Sequence, residues 1–406
     1  MDKFCEISSA RNSFLAGETG ILIEPDSKRL EFLDAVRGVA ALWVMLFHLR
    51  NALLRDIGTT VPDWVYPIGY GAMGVDLFYV ASAFSLFFSM HRRNDKTALK
   101  FYIRRFFRIA PLFYIMVILL FCFENRWKNL DLLVSMTLLF NAVPGFEDSV
   151  ILVGWSVGVE MFFYLIFPTV FRHVKSFGRA IVALIVSSIL LWPVDQLLEY
   201  IHTNFSIESS AQYPPFYLIF FVRYLAVFFS GIVAFHAGYL ISKSRYPFLS
   251  GAGILLLGFA LLNIFFYYWK GVGLIELARI HNRGALIEKG IIFGLLLVGL
   301  MNAPVSVIVN AFTRFLGKIS YSIYLLHLPI ITLLVPLFRL VVTSGLSLGC
   351  QFAACSIILM ATVLPLSYLS FLLIERPGIR LGERLISRKR FTVASATIPP
   401  PVYGSR

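Results

Sequence analysis

The sequence has few cysteines and no metal-binding spacing among them. Cys5, Cys122, Cys350 and Cys355 are the only four in 406 residues, and no two of them form a C-x-x-C pair. Neither a disulfide framework nor a thiolate metal centre is implied. Residues 1–32 contain no apolar run of the kind a cleaved secretory leader needs, so the first membrane-crossing stretch is expected to act as the targeting signal. No internal repeat is clear enough to suggest the inverted halves of a secondary transporter. What the chain does have is apolar side chains: 58% of its residues are hydrophobic and its mean hydropathy is +0.78. A water-soluble domain of this composition would expose more apolar surface than water tolerates. Apolar runs near twenty residues long recur along the chain. They predict an all-α fold, a polytopic bundle of transmembrane helices.

Ten spans are expected, at 36–54, 71–90, 108–123, 151–171, 180–198, 215–240, 247–269, 289–304, 319–341 and 349–373. An eleventh apolar stretch, Asp131 to Pro144, is too short to cross and reads as re-entrant or interfacial. The chain then divides into a polar N-terminal segment (1–32), a transmembrane domain (33–377) and a basic C-terminal tail (378–406). The formal net charge of +13 is no sign of nucleic-acid binding in such a protein; what matters is the side on which the basic residues fall. With ten spans, 25 of the 36 Lys and Arg lie on the side of both termini and nine on the other. That bias places both termini in the cytoplasm. Counting 131–144 as a full span would invert every later loop and destroy the bias.

Polar groups inside apolar runs are the candidate functional residues, because an ionisable group facing lipid is costly. In the first span, LDAVRGVAALWVMLFH, Arg37 and His48 are eleven residues apart, about 20° on a helical wheel, and Asp34 lies about 40° from His48 on the other side. The three share a face. Arg104, Arg105 and Arg108 in FYIRRFFRIAP stand at i, i+3 and i+4 spacings and form one cationic cluster on a helix. It suits lipid headgroups at the membrane surface or a phosphorylated cofactor, since guanidinium donates two parallel bonds to phosphate. Glu160 in GWSVGVEMFFYLIFP needs a partner or water; it could orient an active-site group or pair with Arg223. Gly154 and Gly158 make a GxxxG that suits close helix packing. Asp76 is a candidate ion partner for Arg37. In GKISYSIYLLHLP, Tyr321, Tyr324 and His327 form either an interfacial aromatic patch or a functional face, with Ser320, Tyr324 and His327 aligned. Glu375-Arg376-Pro377 is expected to end the last span at the cytoplasmic interface.

These residues carry a family resemblance over about residues 30–377. Arg37 and His48 match the R-x10-H pattern of the acyltransferase 3 family of integral membrane acyltransferases, and Arg105 and Arg108 match its RxxR pattern. GVDLFYVASAF, GWSVGVEMFFYLIFP and GKISYSIYLLHLP resemble its second-span, W-S-x-x-x-E and late S-Y-x-x-Y-L-x-H-x-P motifs. Ala83 replaces a usual Gly, and Met161 stands where a second acid is common. The resemblance implies transfer of an acyl group, usually acetyl, from acyl-CoA to a hydroxyl of a sugar, surface polysaccharide or lipo-oligosaccharide, in a bacterial cytoplasmic (inner) membrane. It implies that Arg105, Arg108 and Arg104 hold coenzyme A, that Tyr321, Tyr324 and His327 meet substrate, and that no metal takes part. The chain ends soon after the tenth span, so the fused extracytoplasmic domain of some relatives is not expected.

The chemistry expected from these residues has His48 as general base on the acceptor hydroxyl, with Arg37, Glu160 and Asp34 in support. Arg37 and His48 lie about 16 Å apart along the helix, too far for direct contact. A covalent acyl-histidine is the competing route. From a different class, a proton-coupled carrier could use Asp34, Arg37, His48 and Glu160 as a charge relay and would need no coenzyme A. A lipid-binding scaffold would leave the buried charges unexplained.

Overall fold

The computed structural model describes residues 28–93, 97–124, 127–143, 146, 149–204, 217–268 and 283–394; most of the N-terminal polar segment and the end of the basic tail lie outside them. Among the described residues there is no strand. Thirteen α-helices follow one another: α1 (Lys28–Ala52), α2 (Met73–Arg93), α3 (Ala98–Phe123), α4 (Asn129–Met136), α5 (Gly154–His173), α6 (Phe177–Asn204), α7 (Tyr217–Ser242), α8 (Pro247–Tyr268), α9 (Arg283–Asn302), α10 (Ala311–Lys318), α11 (Ser320–Val342), α12 (Leu348–Ser370) and α13 (Arg376–Ala394). Ten are long and apolar enough to cross a bilayer, at the ten places read from the sequence. The protein is an integral multi-pass membrane protein. α2 is the most enclosed span, while α6, α8 and α12 present much of their surface outward. Leu333, Leu256 and Ile189 stand 78%, 71% and 66% exposed, as lipid-facing side chains do.

The short apolar stretch after α3 does not cross. α4 has eight residues, and a 3-10 turn at Phe140–Ala142 follows it. Asn141 Nδ2 donates to the Trp155 carbonyl at 3.2 Å, and a Cβ on Gly158 would overlap Asn141 Oδ1. The GxxxG of α5 therefore admits a polar side chain from this short segment, rather than a second helix, at Gly158.

Two glycines bring α1 against α10. A Cβ at Gly38 would sit 2.1 Å from the Thr313 carbonyl oxygen, and one at Gly317 would sit 1.8 Å from that of Asp34. α10 itself starts on an Asn310 cap that accepts from the Phe312 and Thr313 amides, both at 3.0 Å. Gly317→Val is expected to force the helices apart and destabilise the protein by about 1–3 kcal/mol. A lower thermal-unfolding midpoint in detergent would show it; an unchanged midpoint would mean the crossing is not tight.

The last span does not stop at Glu375-Arg376-Pro377. A π-helical turn at Phe371–Glu375 leads from α12 directly into α13. Pro377 follows this turn directly, where the helical hydrogen-bond ladder is already irregular, so its missing amide hydrogen costs less than in a regular helix interior. Glu375 is 3% exposed and accepts a short hydrogen bond from Ser322 on α11.

Candidate active site

The end of the bundle that carries the arginine cluster opens into a vestibule of about 670 Å³. α1 contributes Asp34 and Arg37, α2 Ser85, Ser89 and Arg92, α3 Lys100, Arg104, Arg105 and Arg108, and α13 Glu383, Ile386 and Ser387. Six cations thus face two carboxylates. Such an imbalance favours a polyanionic guest. Arg37 Nη2 donates to Ser85 Oγ at 2.7 Å, and Ser85 Oγ donates to the Ser82 carbonyl at 2.9 Å. The Arg105 guanidinium packs over the rings of Phe101 and Tyr164, 5.8 and 5.6 Å from their centroids. Its Nε is enclosed and has no acceptor among the described residues. Arg104 is engaged by α13: its Nε donates to Glu383 Oε1 at 3.1 Å.

Arg37, Arg105 and Arg108 also line a second, narrower chamber of about 90 Å³ that leads inward. They form the threshold between the two spaces. Glu160 is the one carboxylate among the described residues lining this chamber. Ser82 Oγ donates to its Oε1 at 2.5 Å and the Tyr164 hydroxyl at 2.6 Å. These are its partners, not Arg223, which the sequence offered as one of two roles for it. Tyr321 and Tyr324 line the chamber from α11. The Tyr321 hydroxyl donates to the Ile109 carbonyl at 2.9 Å, and the Tyr324 hydroxyl meets Ser156 Oγ at 2.6 Å.

Past Tyr324 the line continues to two histidines. The Tyr324 and His327 rings are 5.8 Å apart, and the His327 and His48 rings 5.1 Å. His327 Nδ1 lies 3.1 Å from the Ile323 carbonyl. A carbonyl can only accept, so Nδ1 carries the proton and Nε2 is a bare lone pair. That Nε2 is enclosed with no partner among the described residues. His48 is half-buried and lines neither the vestibule nor the chamber.

Ten of the residues singled out in the sequence lie in or near these spaces. Asp34, Arg37, Arg104, Arg105 and Arg108 are in the vestibule, Glu160, Tyr321 and Tyr324 in the chamber, and His327 and His48 beyond. Asp76 does not pair with Arg37; it takes Lys289 Nζ at 2.6 Å. The ring beside His48 is that of His327. Sequence reasoning missed Ser82, Ser85, Ser156, Tyr164, Lys289 and Glu383. Part of that signal was present: Ser82, Ser85, Ser89 and Arg92 fall at i, i+3, i+7 and i+10, a polar stripe along α2.

This arrangement, a polyanion vestibule opening through arginines onto a narrow polar chamber inside a helix bundle, is one that a group-transfer enzyme working within a membrane could use. The sequence matches the family described as "Acyltransferase domain" over residues 30–372. The chain belongs to that family and is a membrane acyltransferase. It is 25% identical over 302 residues to the provisionally named acetyltransferase ORF330 of Acidianus two-tailed virus, covering 72% of this chain and 81% of that protein. It is 25% identical over 341 residues to the peptidoglycan O-acetyltransferase OatA of Listeria monocytogenes, covering 77% of this chain. The chain spans about half the length of that relative, 51%. No solved structure matches it significantly.

Proposed function

We propose that the protein is an O-acetyltransferase of the bacterial cytoplasmic membrane that moves acetyl from acetyl-CoA to a hydroxyl of a glycan. The observation that carries this reading is the threshold formed by Arg37, Arg105 and Arg108, shared by the wide vestibule and the narrow chamber. The phosphates of coenzyme A suit the vestibule. The thioester arm then passes between the arginines into the chamber. A space of about 90 Å³ suits a small acyl group such as acetyl better than a long acyl chain. With the basic side cytoplasmic, donor enters from the cytoplasm and the acceptor reaches the histidines from the other side. Both relatives carry acetyltransferase names, and the Listeria protein's name gives peptidoglycan as its acceptor; a sugar hydroxyl is the acceptor class for this chain.

In this reading His48 removes the hydroxyl proton as the oxygen attacks the thioester carbonyl carbon. The C–S bond breaks and the thiolate takes up the proton from the imidazolium, so the site returns to its starting state. The Tyr324–Ser156 pair stabilises charge on the carbonyl oxygen, and Arg37 at the threshold holds the donor arm. Glu160, held by Ser82 and Tyr164, sets the position of the facing arginines. The described residues hold no cluster of three or more metal-ligating side chains, and no step here uses a metal. A carrier relay would also use buried charges, but membership of an acyltransferase family weighs against it.

The test is incubation of the purified protein in lipid nanodiscs with acetyl-labelled acetyl-CoA, with and without short glycan acceptors. Label should appear on the glycan as an alkali-labile ester, with free thiol released in equal amount. Folded protein that neither binds acetyl-CoA nor releases thiol would rule the reading out.

A further inference from the structure

The walls of the vestibule do not all belong to the part of the chain that matches the family. The match ends at residue 372, whereas Glu383, Ile386 and Ser387 lie on α13. α13 is docked, not loose. A Cβ at Gly378 would lie 2.8 Å from the Phe107 carbonyl oxygen and from Pro111 Cγ, and one at Gly382 would lie 2.9 Å from Phe107 Cβ. Pro111 has no amide hydrogen, so the Phe107 carbonyl lacks its usual helical partner and that face of α3 is open to a close neighbour. The π-helical turn before α13, anchored through Glu375 and Ser322, joins it rigidly to the last span.

Glu383 poses a question of charge. A carboxylate beside six cations opposes the binding of a polyanion. A partly exposed ion pair contributes little to stability, so stability alone is a weak reason for it; Glu383 is 44% exposed in its side chain. What the bond to Arg104 does is hold a long, rotamer-rich side chain in one orientation. We propose that α13 is the third wall of the donor site and that Glu383 is a positioning residue, setting Arg104 to meet a phosphate of the donor's nucleotide. This rests on the reading of the vestibule as the acyl-CoA site.

Binding of acetyl-CoA to the full chain in nanodiscs, by calorimetry, decides the matter because the two accounts differ in sign. If Glu383 is only a stray negative charge, Glu383→Gln should tighten binding. If it positions Arg104, Glu383→Gln should weaken binding about fivefold or more, and the effect on turnover should be carried mainly by KM for the donor. Ser387 is exposed on the same wall. Ser387→Trp should leave the fold intact, fill the vestibule from the α13 side and weaken acetyl-CoA binding about tenfold or more. Unchanged or tighter binding in Glu383→Gln overturns the positioning role, and unchanged binding in Ser387→Trp overturns the wall. Wild-type protein that does not bind acetyl-CoA removes the vestibule reading itself, a different failure from wild-type binding matched by both variants.

Discussion

His48→Ala should lower acetyl transfer by about 10²–10⁴-fold while donor binding stays close to that of the wild type. The split follows from where the residue sits. His48 lines neither the vestibule nor the chamber, so its removal leaves the donor's contacts in place. It lies instead at the far end of the path, with the His327 ring 5.1 Å away. His327→Gln keeps a polar group where Nε2 stands but removes an ionisable one, and a smaller loss is expected, about 10–100-fold. The double variant should be no worse than His48→Ala alone, because groups that act as a unit are not additive. Acid-quenched reactions lacking acceptor separate the two chemistries: a covalent acyl-histidine leaves label on the protein, general-base catalysis does not. Full activity in a well-folded His48→Ala protein would remove both.

Arg105→Ala/Arg108→Ala should weaken acetyl-CoA binding by about 10²–10⁴-fold, from two lost charge-assisted contacts of about 1.5–3 kcal/mol each. Its effect on the empty protein should have the opposite sign to an ordinary core substitution. The vestibule sets six cations against two carboxylates, so deleting two cations relieves repulsion. The thermal midpoint without donor should hold or rise, and the stabilisation that acetyl-CoA gives the wild type should disappear. Arg105→Lys should not restore binding fully, since an ammonium lacks the planar fork and packs less well over Phe101 and Tyr164. A variant that binds donor normally would return the cluster to the role of a membrane-surface anchor.

The spans were legible because crossing a bilayer is a demand on length and apolarity along one chain, and both are written in order. The failure of 131–144 to cross was legible for the same reason. The ten candidate residues stood out because ionisable and polar groups within apolar runs are costly enough to need a purpose. What could not be read is which groups face each other from different helices. The helical wheel gives the angle of Asp76 on α2 but not that Lys289 of α9 comes to meet it. It aligns Tyr324 with His327 on α11 but does not place His327 against His48. α13 escaped because its polar sequence resembles a solvated tail, and its docking depends on Gly378 and Gly382 meeting a proline-interrupted surface of α3.

The step from about 670 Å³ to about 90 Å³ has a consequence for the cell's permeability barrier. A protein that passed whole substrates between compartments would need two gates opening in turn. On the proposed reading the bulky nucleotide of the donor stops at the arginines, and only a short arm goes further. On that reading the spent carrier leaves by the side it entered, and the narrow chamber keeps the barrier closed to it.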